Sequence, residues 1–220
     1  TLDKFLLGGY QEYLIFFLFY SFAFYFNNNS KNNNFPIIAM IFLSSFLMIW
    51  TKQEGLFYHL ILSLLFILFF SSSTKAKFFY TISVLLSIYL MIQIKNYFHG
   101  DFHFNEPMVH EGLLRFLNLK ILINSLSLIT FEIIKAAIKY PLWILILLFI
   151  FIDQMNNKKL INQYNIFAIF FIGFIYLVYL QTSMDMKQLM PLTLDRLLFQ
   201  GSGFFLIYVI QKLNYYINNI

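Results

Sequence analysis

The 220-residue chain contains no cysteine and few charged residues, and both deficits limit what the protein can be. Without cysteine it forms neither disulfide bonds nor thiolate metal sites. Charged residues make up 11% of the sequence, compared with about 25% in an average soluble domain. Hydrophobic residues make up 60%, and the mean hydropathy is +0.71. A chain with so little polar surface is expected to lie in a lipid bilayer.

The positions of glycine and of basic residues argue against two other classes of protein, soluble nucleotide-sugar enzymes and nucleic-acid-binding proteins. No glycine-rich loop follows a predicted strand, which argues against a soluble enzyme that uses a nucleotide sugar. Basic residues are dispersed between apolar segments instead of being gathered in one patch. Nucleic acid is therefore not an expected partner.

Seven apolar runs predict an all-α, polytopic transmembrane helix bundle. The runs cover residues 13–26, 35–50, 55–70, 78–94, 140–152, 165–180 and 197–210. Backbone polar groups in lipid must be paired internally, and these runs do not alternate as barrel strands do, so we expect helices. Most runs are slightly shorter than the roughly 20 residues that a hydrocarbon core about 30 Å thick requires. Flanking tyrosine, tryptophan, serine and asparagine residues can complete each span at the interface.

An eighth segment, residues 113–138, has a different pattern. Its apolar side chains fall on one half of a helix, and its lysine, asparagine, serine and glutamate side chains fall on the other half. This pattern predicts an amphipathic helix that lies along the membrane surface, or a span that faces a wet cavity, and we favour the surface. The whole chain, residues 1–220, is then one transmembrane domain in which residues 95–139 form an extracytoplasmic loop and an interfacial helix.

The distribution of charge supports seven spans with a surface helix. With that topology one side of the membrane receives a group of basic residues and a single acid near a helix end, Asp153. The basic residues are Lys31, Lys75, Lys77, Lys158, Lys159 and Lys212. On the other side, basic and acidic residues are balanced. Because basic residues in short loops stay inside, the first side is predicted to be cytoplasmic, and the C-terminus lies there.

The tight turn between the second and third runs holds Lys52 and Glu54, followed directly by Gly55. Charges at the membrane boundary are costly to desolvate, so they are usually paired or meet a charged ligand. The simpler alternative is a solvated hairpin turn.

Three segments, in order along the chain, resemble motifs of one enzyme family. "WTKQEGLFYHLILSLL" resembles the "TKxEG" or "TKGP" turn of polytopic GT-C type membrane glycosyltransferases, which include relatives of protein mannosyltransferases and aminoarabinose transferases. "GGYQEYLIFFLFYSFAF" is similar to their "GYAD" segment, and "PLTLDRLLFQGSGFFLIYV" resembles their "TSxDRLLLQ" segment. The resemblance covers essentially the whole chain.

The resemblance implies transfer of a sugar from a polyprenyl-phosphate carrier to a glycan, lipid or protein acceptor. In that family the reaction occurs on the extracytoplasmic face, here that of a bacterial inner membrane. The family's catalytic acid lies in the first outer loop, which would precede Thr1. The chain is therefore expected to be the C-terminal part of a longer protein, with its catalytic residue unknown and no cofactor assigned beyond the lipid-linked donor.

Lys52 and Arg196 are the candidates for contact with the phosphate, because a fixed cation stabilises the charge that develops on a departing phosphate oxygen. Arginine holds two phosphate oxygens with its planar fork, whereas lysine acts as a point charge. Glu54 is expected to hold Lys52, and Asp195 to hold Arg196 or accept from a sugar hydroxyl. The alternative for Asp195 is a helix cap, with Arg196 reaching the lipid headgroups.

Further candidates for substrate binding come from the first motif and from the outer loop. Tyr10 and Glu12 belong to the "GYQE" segment, and His103 belongs to residues 95–116, which contain three of the four histidines. That loop could bind a divalent metal, face the acceptor as a lid, or be solvated; Gly100 and Pro107 indicate an irregular structure. The remaining histidine, His59, is predicted to form a hydrogen bond between helices.

Two other functional classes compete with the glycosyltransferase. An O-antigen polymerase or ligase also combines many spans with a long outer loop that carries histidine and arginine. A transporter or accessory subunit would carry ionisable residues or broken helices near the bilayer midplane. Here the charges lie mainly at helix ends, which argues against transport.

Overall fold

The computed structural model describes residues 2–28, 35–51, 54–99, 118–157, 162–181 and 186–218. Within these ranges the regular structure is α-helical, which confirms the all-α class. The helices in chain order are α1 (Leu2–Asn28), α2 (Phe35–Thr51), α3 (Gly55–Phe69), α4 (Thr74–His99), α5 (Leu119–Lys139), α6 (Pro141–Asn157), α7 (Gln163–Gln181) and α8 (Met186–Asn218).

Four helical segments are long and apolar enough to cross a membrane, which indicates a multi-pass integral membrane protein. They are Thr74–Ile94, Leu119–Lys139, Gln163–Gln181 and Thr193–Asn218. Three shorter apolar helical segments, Phe35–Thr51, Gly55–Phe69 and Pro141–Met155, accompany them. By length and composition α5 can therefore span, although the sequence placed it on the surface. The total of seven spans remains a prediction.

Helix α8 is the centre of the bundle. It packs against α1 most extensively and also contacts α5, α6 and α7, while α4 packs on α2 and α3. Much of the interior is aromatic, and the Phe167 and Phe204 rings stack with centroids 4.1 Å apart. Because lipid tails are as apolar as these side chains, close packing rather than a hydrophobic driving force holds such helices together.

Two glycines allow helix backbones to approach closely. A Cβ atom on Gly203 would lie 2.2 Å from the carbonyl oxygen of Phe16, at the contact of α1 with α8. A Cβ atom on Gly55 would lie 1.7 Å from the carbonyl oxygen of Met48. Any larger residue at position 55 would push α3 away from α2. This explains why glycine follows the charged turn between these two helices.

The ion pairs that the structure describes between different helices lie at the two ends of the bundle. At one end, which we call the Lys212 end, Asp153 of α6 accepts hydrogen bonds from Lys212 and from the hydroxyl of Tyr208, both on α8. The other end, which we call the Arg196 end, contains the start of α3, the junction of α5 with α6, and the part of α8 around Arg196. The predicted grouping of Lys212 with Asp153, away from Arg196, is confirmed.

Candidate functional site

A cavity of about 370 Å³ lies at the Arg196 end, between α1, α6 and α8. Most of its wall is apolar or aromatic, and three charged side chains interrupt that wall. The lining residues are Glu12, Tyr13, Tyr140, Leu142, Trp143, Asp195, Arg196, Phe199 and Ser202. The cavity therefore offers hydrocarbon surface and charge side by side.

Asp195 and Arg196 are consecutive on α8, and they have different partners. Successive residues on an α-helix point about 100° apart, since 3.6 residues make one turn. Asp195 accordingly reaches the junction of α5 with α6, whereas Arg196 reaches α1. The two side chains border the same cavity from one helix, although they do not hold each other.

Arg196 forms an ion pair with Glu12. Its Nη1 atom lies 3.9 Å from Oε1 of Glu12; the carboxylate side chain is 7% exposed, whereas the arginine side chain is 52% exposed. The prediction that Asp195 holds Arg196 is therefore wrong, because Glu12 of α1 takes that place. A guanidinium group has five N–H donors, so one carboxylate at this distance leaves donors for a ligand.

Asp195 is fixed by two donors from the α5–α6 junction. Its Oδ2 atom accepts from Nζ of Lys139 at 2.9 Å and from the hydroxyl of Tyr140 at 2.7 Å. The hydrogen bond to Asp195 raises the pKa of Tyr140, so this side chain stays a neutral donor. The alternative of a helix cap is also wrong, since Asp195 lies well inside α8, which begins at Met186.

A buried polar contact lies near the cavity and connects α3 with α8. The hydroxyl of Tyr58 donates to Oε1 of Gln200 at 2.7 Å, and both side chains are buried. Tyr58 is also within electrostatic reach of Glu54 and Glu12. Glu54 therefore lies at the same end of the bundle as Arg196, as the sequence predicted.

The structure describes only some of the other predicted site residues. Tyr10 lies on α1, two residues before Glu12. Lys52 and His103 lie outside the described residues, as does most of the histidine-bearing loop, so the expected contact of Glu54 with Lys52 stays a prediction. In the described part of the chain, no three histidine, aspartate or glutamate side chains come together as metal ligands would.

Lys139 and Tyr140 belong to the site, yet sequence reasoning did not select them. The signal available was "KYP", residues 139–141, where a basic residue, an aromatic residue and a helix-starting proline follow one another. Their partner Asp195 is more than fifty residues away in the sequence, so spacing could not reveal the contact.

The prediction for His59 is confirmed. Its Nε2 atom lies 3.1 Å from the hydroxyl oxygen of Ser87, and the pair joins α3 to α4.

Comparisons with protein-family models, with curated proteins and with solved structures gave no match. The cavity and its charges are therefore the features of this chain that bear on its function.

Proposed function

We propose that the protein is a multi-pass membrane glycosyltransferase, or the later part of one, and that it binds a polyprenyl-phosphate-linked sugar in the Arg196 cavity. The observation that supports this proposal is a half-exposed arginine on the wall of an otherwise mainly apolar cavity within a membrane protein. A lipid phosphate needs that combination, because its headgroup carries negative charge and its tail stays in hydrocarbon.

Arg196 supplies the cation in this proposal. Transfer forms a bond between the sugar and an acceptor oxygen, breaks the bond between the sugar and the phosphate oxygen, and leaves negative charge on the phosphate. A guanidinium group already in place stabilises that charge as it develops. Its ion pair with the buried Glu12 holds it at the cavity before substrate binds.

The two cavity carboxylates act in this proposal as positioning groups. Glu12 orients Arg196, and Asp195 orients Lys139 and Tyr140. The proton of the acceptor hydroxyl passes to a base that we do not assign.

The contacts of α5 favour an arrangement in which this helix lies along the membrane surface, across the Arg196 end of the bundle. Thr130 bonds to the hydroxyl of Tyr176 near the end of α7, and Lys139 bonds to Asp195. The first half of α5 also borders a groove with Met186 and Lys187 at the start of α8. These contacts support an interfacial α5, and with it the topology of seven spans. In this proposal the Arg196 end is extracytoplasmic and the Lys212 end is cytoplasmic, because basic residues predominate in the short loops assigned to the Lys212 side.

Lipid binding tests the first part of the proposal. The purified chain in nanodiscs is titrated with a polyprenyl monophosphate and, separately, with the polyprenol of equal length. Hydrogen bonds to charged groups contribute about 1.5–3 kcal/mol, so Arg196→Ala should weaken phosphate binding roughly 10- to 100-fold. Lys212→Ala, at the opposite end, is the matched control and should leave the affinity unchanged. Equal binding of the phosphate and the alcohol would contradict the proposal, as would wild-type affinity in Arg196→Ala.

Transfer is tested separately with the full-length gene product. It is incubated with polyprenyl-phosphate hexose and a membrane extract that contains acceptors, and release of the polyprenyl phosphate is followed by mass spectrometry. Arg196→Ala should slow this release at saturating donor, because the guanidinium acts on the leaving group. If wild-type protein binds the lipid phosphate but never releases the sugar from it, the cavity serves lipid binding alone and the enzyme assignment is wrong.

A further inference from the structure

Asp195 has an acceptor oxygen that its two partners leave available. Nζ of Lys139 and the hydroxyl of Tyr140 both bind Oδ2, and no further hydrogen bond to Asp195 comes from the described residues. An ionised carboxylate has two oxygens with about four lone-pair sites, so Oδ1 can accept from a ligand. The Asp195 side chain lines the cavity and is 33% exposed, which makes it accessible.

The charges of the residues around the cavity cancel. Glu12 and Asp195 are carboxylates, Arg196 and Lys139 are cations, and each cation pairs with one carboxylate. A bare anion is attracted by Arg196 and repelled by the carboxylates beside it. A ligand that carries hydroxyl groups next to its anion fits this cavity better, because a hydroxyl can donate to Asp195.

Asp195 and Arg196 are close enough to bind neighbouring groups of one ligand. Their Cα atoms are consecutive in the chain and therefore about 3.8 Å apart, and both side chains border the same cavity. In a polyprenyl-phosphate-linked sugar only a few covalent bonds separate the phosphate from the ring hydroxyls. A phosphate at Arg196 therefore brings a hydroxyl of its sugar within reach of Asp195.

The order of lining residues along two helices indicates the direction in which such a lipid lies. Both α6 and α8 run towards the Lys212 end, where Asp153 and Lys212 meet. Along α8 the apolar Phe199 follows Arg196, and along α6 the apolar Trp143 follows the junction with α5. A lipid with its tail towards Phe199 and Trp143 has its sugar at the charged side of the cavity, beside Asp195.

We propose that Asp195 accepts a hydrogen bond from the transferred sugar, so that the cavity prefers the sugar-bearing lipid to the lipid phosphate left after transfer. This inference rests on the proposed function and adds the group that recognises the sugar. The donor is a phosphodiester with one negative charge, whereas the product is a monoester with a charge of about −1.5 to −2 at pH 7. The extra charge gains little in a site whose own charges cancel, and the product lacks the hydroxyl.

Three lipids separate the effect of the sugar from that of charge when the chain in nanodiscs is titrated with each. They are polyprenyl phosphate hexose, polyprenyl methyl phosphate, which has the same charge but no hydroxyl, and polyprenyl phosphate. A hydrogen bond to a charged group corresponds to a factor of roughly 10 or more in affinity, so the hexose lipid should bind at least that much more tightly than the methyl ester. Equal affinities for these two would overturn the inference and leave lipid-phosphate binding intact. If none of the three binds, the proposed function fails as well.

Replacing Asp195 should change the two kinds of ligand in opposite directions. Asp195→Ala should abolish the preference for the hexose lipid over the methyl ester. It should also raise the affinity for polyprenyl phosphate several-fold, because a carboxylate next to the phosphate is lost. Glu132→Ala is the matched control, since Glu132 is a carboxylate of α5 that pairs with Lys135 and does not line the cavity. This control should keep the wild-type preference, and a preference that also survives Asp195→Ala would overturn the inference.

Lys139→Met distinguishes contact with the sugar from support of the fold. This variant breaks the ion pair between α8 and the α5–α6 junction but keeps the carboxylate of Asp195. The ratio of the affinities for the hexose lipid and the methyl ester should stay near its wild-type value, because these two ligands carry the same charge and the acceptor is still present. Loss of the ratio in Lys139→Met as well as in Asp195→Ala would show that Asp195 acts only by holding the junction.

Discussion

The hydrogen bond between Tyr58 and Gln200 gives the most direct check on how α3 is placed relative to α8. The two residues are 142 positions apart in the sequence, the donor–acceptor distance is 2.7 Å, and both side chains lie in the interior. Tyr58→Phe removes the hydroxyl and leaves the Gln200 carbonyl oxygen without this donor. Leaving a buried polar group unsatisfied costs about 1–3 kcal/mol. Gln200→Leu has the converse effect, because it leaves the hydroxyl of Tyr58 without its acceptor.

The double variant separates this bond from other effects of the two substitutions. When both residues are changed, neither polar group remains to be satisfied, so the double variant should be less destabilised than the sum of the single variants. Hydrogen bonds between membrane helices contribute about 0.6 kcal/mol on average and about 1.7 kcal/mol at most. Because both groups here are fully buried, we expect a coupling energy of about 1–1.7 kcal/mol.

Reversible unfolding with SDS in mixed micelles, followed by circular dichroism, measures the four free energies of this cycle. Tyr20→Phe is the control, since Tyr20 lies on α1 against the ring of Phe24 and removal of its hydroxyl should change stability by less than about 0.5 kcal/mol. A coupling energy of zero within error for Tyr58 and Gln200 would refute the contact, and with it the placement of the start of α3 at the Arg196 end.

Two further predictions concern helix packing and the opposite end of the bundle. Gly203→Ala should destabilise the protein by about 1–3 kcal/mol, because its Cβ would meet the backbone of Phe16. Gly173→Ala has nothing within 4 Å of its Cβ and should be neutral or stabilising by up to about 1 kcal/mol; similar values in the SDS titration would contradict this difference. Asp153→Asn weakens the contact with Lys212 and should cost about 1–3 kcal/mol of stability. It should leave the affinity for polyprenyl phosphate unchanged, and a loss of that affinity would contradict the separation of the two ends.

The bounds of a helix were predicted well where the helix consists only of an apolar run. The second apolar run was predicted at residues 35–50, and α2 covers Phe35–Thr51. The last run was predicted at residues 197–210, whereas α8 covers Met186–Asn218 and is about 50 Å long at 1.5 Å per residue. Hydropathy detected the apolar middle of α8. The helix continues on both sides because its polar residues find partners on α1, α5 and α6.

Some members of the candidate site were predicted from the sequence, but their pairing was not. Sequence reasoning selected Glu12, Asp195 and Arg196, and all three line one cavity. It paired Asp195 with Arg196, although consecutive residues of a helix point in different directions and these two contact different helices. Lys139 and Tyr140 were not selected, because they become part of the site only through their contact with Asp195.

The sequence by itself determined that this is a membrane protein made of helices, because scarce charge and long apolar runs leave the backbone no other way to satisfy its hydrogen bonds in lipid. The sequence also grouped Lys212 with Asp153 and Arg196 with Glu54, since charged residues avoid hydrocarbon. Tertiary structure alone decided that Glu12 holds Arg196 and that Gly55 lies against α2. Such contacts join residues on different helices, and their formation depends on how those helices are rotated and how closely they approach.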